Sequence, residues 1–207
     1  MKNLPVIIGI TGASGAMYAD TLIKELVKRD IPVEIVASKW GKYLLSHELD
    51  FKFGKNAQNF IENRYGKHVK WTDLTWHPGM DMSATIASGT YKTRGMVVIP
   101  MSMGTLGHLA NGVTSNLLHR AADVTLKENR PLVLVPRETP LSQIHLHNLL
   151  KISKAGATIV DANPTFYQGA EKIQDLIDSV VARVLDSLNI NNNLVPEWGI
   201  PKEFQDA

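Results

Sequence analysis

Two short loops rich in glycine and hydroxyl side chains have the composition of an anion-binding turn. Residues 9–16 (Gly-Ile-Thr-Gly-Ala-Ser-Gly-Ala) follow an apolar run and precede an amphipathic stretch, and residues 100–107 (Pro-Met-Ser-Met-Gly-Thr-Leu-Gly) occupy an equivalent position later in the chain. Small residues let the backbone N–H groups of a helix N-terminus approach a phosphate closely. A single glycine loop is equally consistent with a tight turn that binds nothing, but two such loops at one sheet edge favour a bound cofactor. Residues 87–90 (Ala-Ser-Gly-Thr) are a third candidate.

The spacing of the first loop favours a mononucleotide over a dinucleotide. It is neither the Gly-x-Gly-x-x-Gly fingerprint of dinucleotide-binding domains nor a Walker A loop, which ends in Lys-Ser or Lys-Thr. The second predicted strand ends in Ala37 and Ser38, and it lacks the acidic residue that binds a ribose hydroxyl in dinucleotide-binding domains.

Several charged residues recur beside these loops. Residues 137–138 (Arg-Glu) directly follow a predicted strand, Arg120 and Lys127 share one face of a predicted helix, and Arg183 interrupts an apolar helix. Each also has a structural explanation. Residues 137–138 could form a solvated turn, Arg120 and Lys127 could form a salt-bridge ladder through Asp123, and Arg183 could face the solvent. Taken together, at what we expect to be one edge of the sheet, they predict an oxyanion site.

Other common chemistries are excluded by what the chain lacks. It contains no cysteine, so disulfides, thiolate metal sites and a cysteine nucleophile are ruled out. No His-Glu-x-x-His motif, aspartate-rich cluster or Gly-x-Ser-x-Gly elbow is present. His145 and His147 are two residues apart and would point to different faces of a helix, and we interpret His108 and His119 as packed or surface groups. We therefore predict no metal site.

Composition indicates a globular protein with a substantial core. Of 207 residues, 44% are apolar and 20% are charged, and the net charge of +2 argues against a general binder of nucleic acid. No run reaches the ~18 apolar residues of a membrane span. We interpret the apolar residues 4–10 as a first strand rather than a signal peptide, which predicts a cytoplasmic protein.

The hydrophobic pattern predicts an α/β protein that forms a single domain. Apolar runs at 4–10, 31–37, 95–100, 131–136 and 157–160 predict strands, and amphipathic stretches at 17–29, 104–111, 115–129, 141–155 and 170–188 predict helices. This alternation is typical of a parallel sheet covered on both faces, which binds ligands at the carboxyl ends of its strands. Residues 50–80 fit this alternation least well, and we predict an irregular segment there. Residues 1–188 form the predicted domain, and residues 189–207 an extended C-terminal arm.

Several ordered motifs resemble the flavin prenyltransferase family, also called the UbiX family. The resemblance is carried by residues 9–16, 102–106, 120–128 and 131–140, and it continues through 144–146, 164–167 and 183–186. It covers nearly the whole chain, with departures in residues 50–80 and at Met101, where relatives often carry cysteine.

The resemblance implies a fold, an activity and an assembly. The fold is a single-domain three-layer sandwich with a parallel sheet, of the Rossmann-like or flavodoxin-like type, in which residues 1–188 are the flavin-binding domain. Members of the family bind FMN and join a dimethylallyl group from dimethylallyl phosphate to N5 and C6 of the reduced flavin. The product, prenylated FMN, serves a separate UbiD-type decarboxylase, and members assemble as homododecamers with active sites at subunit contacts. Two alternatives stay open: a non-catalytic flavin-binding accessory subunit of an aromatic acid decarboxylase, and a phosphopantothenoylcysteine-type decarboxylase, whose Pro-x-Met-Asn signature residues 100–103 do not match.

The resemblance also implies roles for individual residues. Those that would bind FMN are Gly12, Ala13, Ser14, Ser38, Ser88, Ser102, Met103, Gly104, Thr105, Arg120 and Arg137. Tyr167, Arg183, Lys127 and Trp198 would bind the dimethylallyl phosphate, and Ser14, Glu48, Lys127 and Glu138 would act in catalysis. A monophosphate carries less charge than a diphosphate, so cationic side chains could replace magnesium. The proton released from C6 could go to Glu138, Glu48 or the retained phosphate.

Overall fold

A sheet of six parallel strands in the order β3-β2-β1-β4-β5-β6 forms the centre of the protein. The computed structural model describes residues 4–52, 57–66, 74–197 and 199. The strands are β1 (Val6–Ile10), β2 (Val33–Ala37), β3 (Leu74–His77), β4 (Gly95–Met101), β5 (Leu132–Pro136) and β6 (Thr158–Ile159). Strands β1, β2, β4 and β5 are buried along their whole length, as expected for strands covered on both faces.

Helices cover both faces of this sheet. They are α1 (Ala16–Lys28), α2 (Lys39–Leu49), α3 (Ala57–Tyr65), α4 (Met103–Ala110), α5 (Leu117–Lys127), α6 (Gln143–Lys154) and α7 (Ile173–Ser187). Helices α1, α2, α3 and α7 share one apolar core with alternate strand residues such as Ile8, and α4, α5 and α6 share a second core with residues such as Ile7. The predicted α/β three-layer sandwich is confirmed. None of the helices in the described ranges is long and apolar enough to cross a membrane.

The strand order reverses direction beside β1. This strand pairs with β2 on one side and with β4 on the other, and the chain leaves β1 for α1 on one face and β4 for α4 on the opposite face. The loops after β1 and β4 therefore lead to opposite faces of the sheet, and the carboxyl edge at such a reversal is where open α/β sheets bind ligands.

The prediction of an irregular segment over residues 50–80 is wrong where the structure describes it. It contains α3 and β3, and β3 adds a sixth strand beside β2. Gln58 of α3 explains this position: its side-chain Nε2 donates to the Leu74 carbonyl at 2.7 Å, and its Oε1 accepts from the Trp76 N–H at 2.7 Å. A four-residue edge strand fixed by a side chain from a distant helix leaves little hydrophobic period in the sequence.

The described part of the C-terminal segment returns to the body of the protein. Residues 189–197 contain no helix or strand, Ile190 is buried, and Asn191 accepts a hydrogen bond from Arg29 Nε through its carbonyl at 3.1 Å. Trp198 lies outside the described residues. The division into a domain of residues 1–188 and an arm stays a prediction.

Candidate functional site

The loops after β1 and β4 are joined by the side chain of Thr11. Its hydroxyl donates to the Pro100 carbonyl at 2.8 Å and accepts from the Ser102 N–H at 2.7 Å, and the Thr11 N–H also donates to the Pro100 carbonyl, at 3.3 Å. The residue is 1% exposed. The two predicted anion-binding loops therefore lie side by side at the carboxyl edge.

Two helices direct free N-terminal amides toward this edge. Ser102 caps α4 by accepting from the Thr105 N–H, and Ser38 caps α2 by accepting from the Gly41 N–H. A Cβ added to Gly104, in the first turn of α4, would meet nothing within 4 Å, so that turn faces open space. A helix N-terminus with a serine cap and no covering side chain is suited to a phosphate or a flavin ring atom.

The N-terminus of α1 is occupied differently. Gly15 takes a left-handed conformation at φ 112° and provides no capping side chain. Glu48, from the end of α2, replaces it: its Oε2 accepts from the N–H groups of Gly15 at 3.0 Å and Ala16 at 2.8 Å. A carboxylate therefore sits where an anion would bind to α1.

Arg137 completes this arrangement from the end of β5. Its N–H donates to the Met101 carbonyl at 3.2 Å, and its Nε donates to the Ser14 carbonyl at 3.1 Å. Burial raises the pKa of the nearby Tyr18, and the positive charge of Arg137 opposes that rise. Glu138 follows Arg137 and is exposed. We call residues 12–15, Ser38, residues 102–105 and Arg137 the cradle.

A cavity of about 710 Å³ opens beside the cradle and shares Ser38 with it. Its size falls within the range of small-molecule and cofactor sites, roughly 300–1,000 Å³. Trp40 and Tyr43 of α2 line it and are exposed, with ring centroids 5.9 Å apart in an edge-to-face arrangement. A Cβ on Gly12 would come within 2.5 Å of the Trp40 Cβ, so glycine is required for this close approach.

Three of the predicted site residues form a separate group along α5. Arg120 Nε donates to the Ala87 carbonyl beside Ser88, and Lys127 Nζ lies 2.6 Å from Glu128 Oε1. We call Ser88, Arg120 and Lys127 the α5 group. Lys127 ends α5, and residues 128–131 lead from it to the first residue of β5, which pairs with the start of β4. Lys127 therefore lies at the amino edge of the sheet, whereas the cradle lies at the carboxyl edge. The sequence predicted these charged residues at one edge, and within one chain Lys127 does not lie there.

Tyr167 and Arg183 belong to a loop and a helix that are joined by a hydrogen bond. The N–H of Thr165 donates to Ser179 Oγ at 3.1 Å, which anchors the Tyr167 turn one helical turn before Arg183 on α7. Arg183 is exposed and pairs with Asp186 at 3.0 Å. Within the described ranges, no group of three or more His, Asp or Glu residues has the arrangement of a metal site.

Sequence reasoning missed two features of the site. Thr11 was considered only as part of a glycine-rich loop, although a hydroxyl residue directly after a buried strand is a usable signal of a site residue. The aromatic pair Trp40 and Tyr43 was missed because no helix was predicted over α2, whose start is marked by the capping residue Ser38.

Comparisons with known proteins agree with this geometry. A model of the flavoprotein family, described as "Flavoprotein", matches residues 1–185. The flavin prenyltransferase UbiX of Halalkalibacterium halodurans is 46% identical over 192 residues, which cover 93% of this chain and 92% of that protein. The chain belongs to the flavin prenyltransferase family.

Solved structures of the family share the fold over almost the full length. A crystal structure of AnUbiX (PadA1) in complex with FMN and dimethylallyl pyrophosphate superposes with a TM-score of 0.86 at 36% identity, covering 97% of this chain and 100% of that one. A dodecameric FMN-dependent UbiX-like decarboxylase from Escherichia coli O157:H7 gives a TM-score of 0.80 at 38% identity, covering 95% and 100%. The family resemblance seen in the sequence is thus confirmed, and the phosphopantothenoylcysteine-type alternative is not supported.

Proposed function

We propose that this protein is a flavin prenyltransferase that joins a dimethylallyl group from dimethylallyl phosphate to N5 and C6 of reduced FMN. The observation that carries the proposal is the cradle: two serine-capped helix N-termini and an arginine converge at the strand-order reversal of a chain that belongs to this family. The cavity of about 710 Å³ that shares Ser38 with the cradle has a size that fits a flavin.

The cradle holds the cofactor in this proposal. The N–H groups of the first turns of α2 and α4, with the hydroxyls of Ser38 and Ser102, bind the phosphate and the polar edge of the flavin, and Arg137 adds a positive charge. Reduced FMN supplies the nucleophilic nitrogen. Glu48 neutralises the N-terminus of α1, which leaves α2 and α4 as the helix ends open to an anion.

Departure of the phosphate from the prenyl donor separates charge, and the chain's cations stabilise it. Arg120 and Lys127 of the α5 group, together with Arg183 and the Tyr167 hydroxyl, take this role without a metal ion. Because Lys127 lies at the edge opposite the cradle of its own chain, we propose that a neighbouring subunit supplies the α5 group within a homododecamer. The dodecameric UbiX-like structure supports this assembly.

We assign the proton released from flavin C6 to Glu138 rather than to Glu48. The Glu48 carboxylate accepts hydrogen bonds from two backbone N–H groups at the start of α1, so a proton there would disrupt an existing cap. Glu138 is exposed beside Arg137, where one of its oxygens accepts from the Thr139 N–H at 3.0 Å and the other can accept a proton.

One experiment tests the activity directly. The purified protein is mixed anaerobically with reduced FMN and dimethylallyl phosphate, with the diphosphate in a parallel reaction, and the flavin is weighed by mass spectrometry. We expect flavin heavier by one dimethylallyl group. Recovery of unmodified FMN alone from both donors, with FMN bound, would favour the accessory-subunit alternative.

We further propose that the product passes to a UbiD-type decarboxylase. A cofactor built in one protein and used in another must leave its site, which fits a cradle at an open sheet edge. The cytoplasmic location stays a prediction from the sequence.

A further inference from the structure

We propose that Thr11 is a positioning residue that fixes the two halves of the cradle against each other before any flavin binds. This inference rests on the proposed flavin binding. Thr11 does not belong to the predicted flavin contacts. Its role follows from three hydrogen bonds that join the end of β1 to the end of β4 at a residue only 1% exposed.

The need for a hydroxyl at this position comes from the neighbouring strand. Pro100 has no N–H, so β4 cannot continue its ladder of donors at that point, and its pairing with β5 shifts register between Val98 and Met101. The Thr11 hydroxyl links β1 to β4 at this irregular point, because it donates to the Pro100 carbonyl and accepts from the Ser102 N–H. A side chain of the same shape without the oxygen would leave the N–H of the half-buried Ser102 without this acceptor.

Ser102 transmits the effect to the flavin site. It is the capping residue of α4, and its Oγ accepts from the Thr105 N–H in the first turn. A change in the Ser102 backbone therefore moves the free amides that face the open space at Gly104. The Thr11 backbone leads directly into residues 12–15, so the same hydroxyl also sets the position of the opposite loop.

The third loop of the cradle depends on the same link. Arg137 bridges the other two loops, since its N–H donates to the Met101 carbonyl and its Nε donates to the Ser14 carbonyl. Met101 lies between Pro100 and Ser102, the two residues that hydrogen-bond to Thr11, and Ser14 is three residues after Thr11 in the chain. The distance that Arg137 must span is therefore set by Thr11, and all three loops are aligned when the flavin arrives. Binding energy is then not used to order them.

The test compares FMN affinity across substitutions of Thr11. Thr11→Val keeps the shape and removes the hydroxyl, whereas Thr11→Ser keeps the hydroxyl. Thr125→Val is the matched control, because Thr125 is also 1% exposed and its hydroxyl also donates to a backbone carbonyl, that of Ala121 at 2.8 Å. Oxidised FMN is titrated into each apoprotein and the quenching of flavin fluorescence gives the Kd.

We expect Thr11→Val to raise the Kd about tenfold, because both hydrogen bonds of the hydroxyl are lost and the two loops are no longer fixed in the flavin-binding geometry. Thr11→Ser should bind within about twofold of the wild type, and Thr125→Val should bind like the wild type. Thr11→Val binding as tightly as Thr125→Val would overturn the proposal. Failure of the wild-type protein to bind FMN would instead overturn the proposed function.

A second measurement uses the wild-type protein and does not depend on a variant folding. Hydrogen exchange of the Ser102 amide, followed by mass spectrometry in the apoprotein, should be slow, because the Thr11 hydroxyl already accepts from it. Exchange that is fast without flavin and becomes slow only when FMN is added would show that the link forms on binding. That result would contradict a cradle fixed in advance.

Discussion

Burial at His119 outweighs the ordinary tendency of an imidazole to take up a proton near neutral pH. The side chain is 5% exposed, its ring stacks on His108 with centroids 4.5 Å apart, and its Nδ1 lies 3.0 Å from Ser115 Oγ. Burial, with a smaller contribution from the neighbouring His108, lowers the pKa of His119 from 6.5 to about 4. Between these two pH values, His119 is therefore neutral in the folded protein but protonated in the unfolded chain.

Stability should fall as the pH drops from about 6.5 to about 4, because only the unfolded chain binds the proton across that range. We expect His119 to account for about 1–2 kcal/mol of the loss between pH 7 and pH 5. Urea unfolding at the two pH values measures this. His119→Gln should reduce the loss by that amount, and the exposed His147→Gln should not. Equal pH dependence in both variants would contradict the assignment.

The sequence predicted which residues form the cradle but not how they are held. Glycine, serine and arginine at strand ends, such as Ser38, Ser102 and Arg137, have local signatures, and the structure places them at one edge. The roles of Thr11 and Glu48 depend on partners that are distant in the chain. Thr11 contacts a residue 89 positions away and Glu48 one 33 positions away, so a local pattern can mark Thr11 as a hydroxyl after a buried strand but does not identify the partner of either residue.

At the scale of the elements, α1 shows how one helix can control the start of another. Its first N–H groups have no local side chain to cap them, and Glu48 at the end of α2 supplies the acceptor. In α7 the same task is local: Asp175 Oδ2 accepts from the N–H groups of Glu171 at 3.0 Å and Lys172 at 2.9 Å. The cap of α1 thus also ties α2 to the cradle.

Glu48→Ala should destabilise the protein by about 1 kcal/mol, the typical cost of losing an N-terminal cap. It should also weaken FMN binding, because residues 12–15 lose the contact that holds them and the uncapped end of α1 attracts the phosphate out of position. Asp175→Ala is the control, since it removes a cap far along the chain from the cradle. Urea unfolding and FMN titration of both variants make the comparison. Unchanged FMN affinity in Glu48→Ala would limit Glu48 to a structural role.

The four strands with long apolar runs were predicted, and so was the two-residue β6, but β3 was not. β1, β2, β4 and β5 are buried on both faces, so the whole run is apolar and visible in sequence. β3 lies at the sheet edge, where only Leu74 and His77 of its four residues are buried. Its position depends on the Gln58 side chain, a tertiary contact that hydrophobic periodicity does not encode.

At the scale of the whole molecule, one chain holds two incomplete halves of the proposed site. The cradle lies at the carboxyl edge of the sheet, and Lys127 of the α5 group lies at the amino edge. No side-chain movement spans a sheet, so a site that uses both the cradle and Lys127, as we propose, would require a second copy. Such an arrangement makes activity a property of the assembly, as closed symmetric oligomers allow.

Mixed assemblies test this directly. Arg137→Ala damages the cradle and Lys127→Ala damages the α5 group, so each variant alone should have little transferase activity. Oligomers are then reassembled or co-expressed from equal amounts of both variants. Half of the cradles and half of the α5 groups are intact in such a mixture, so about a quarter of the sites that are built from two chains combine an intact cradle with an intact α5 group. Activity should recover to about a quarter of the wild-type value. A mixture of Lys127→Ala with Arg120→Ala is the control, because every α5 group in it stays damaged. A site shared between subunits predicts activity in the mixture of Arg137→Ala with Lys127→Ala and none in the control mixture. If both mixtures stay inactive although mass spectrometry finds both chains in one oligomer, the site is not shared between subunits.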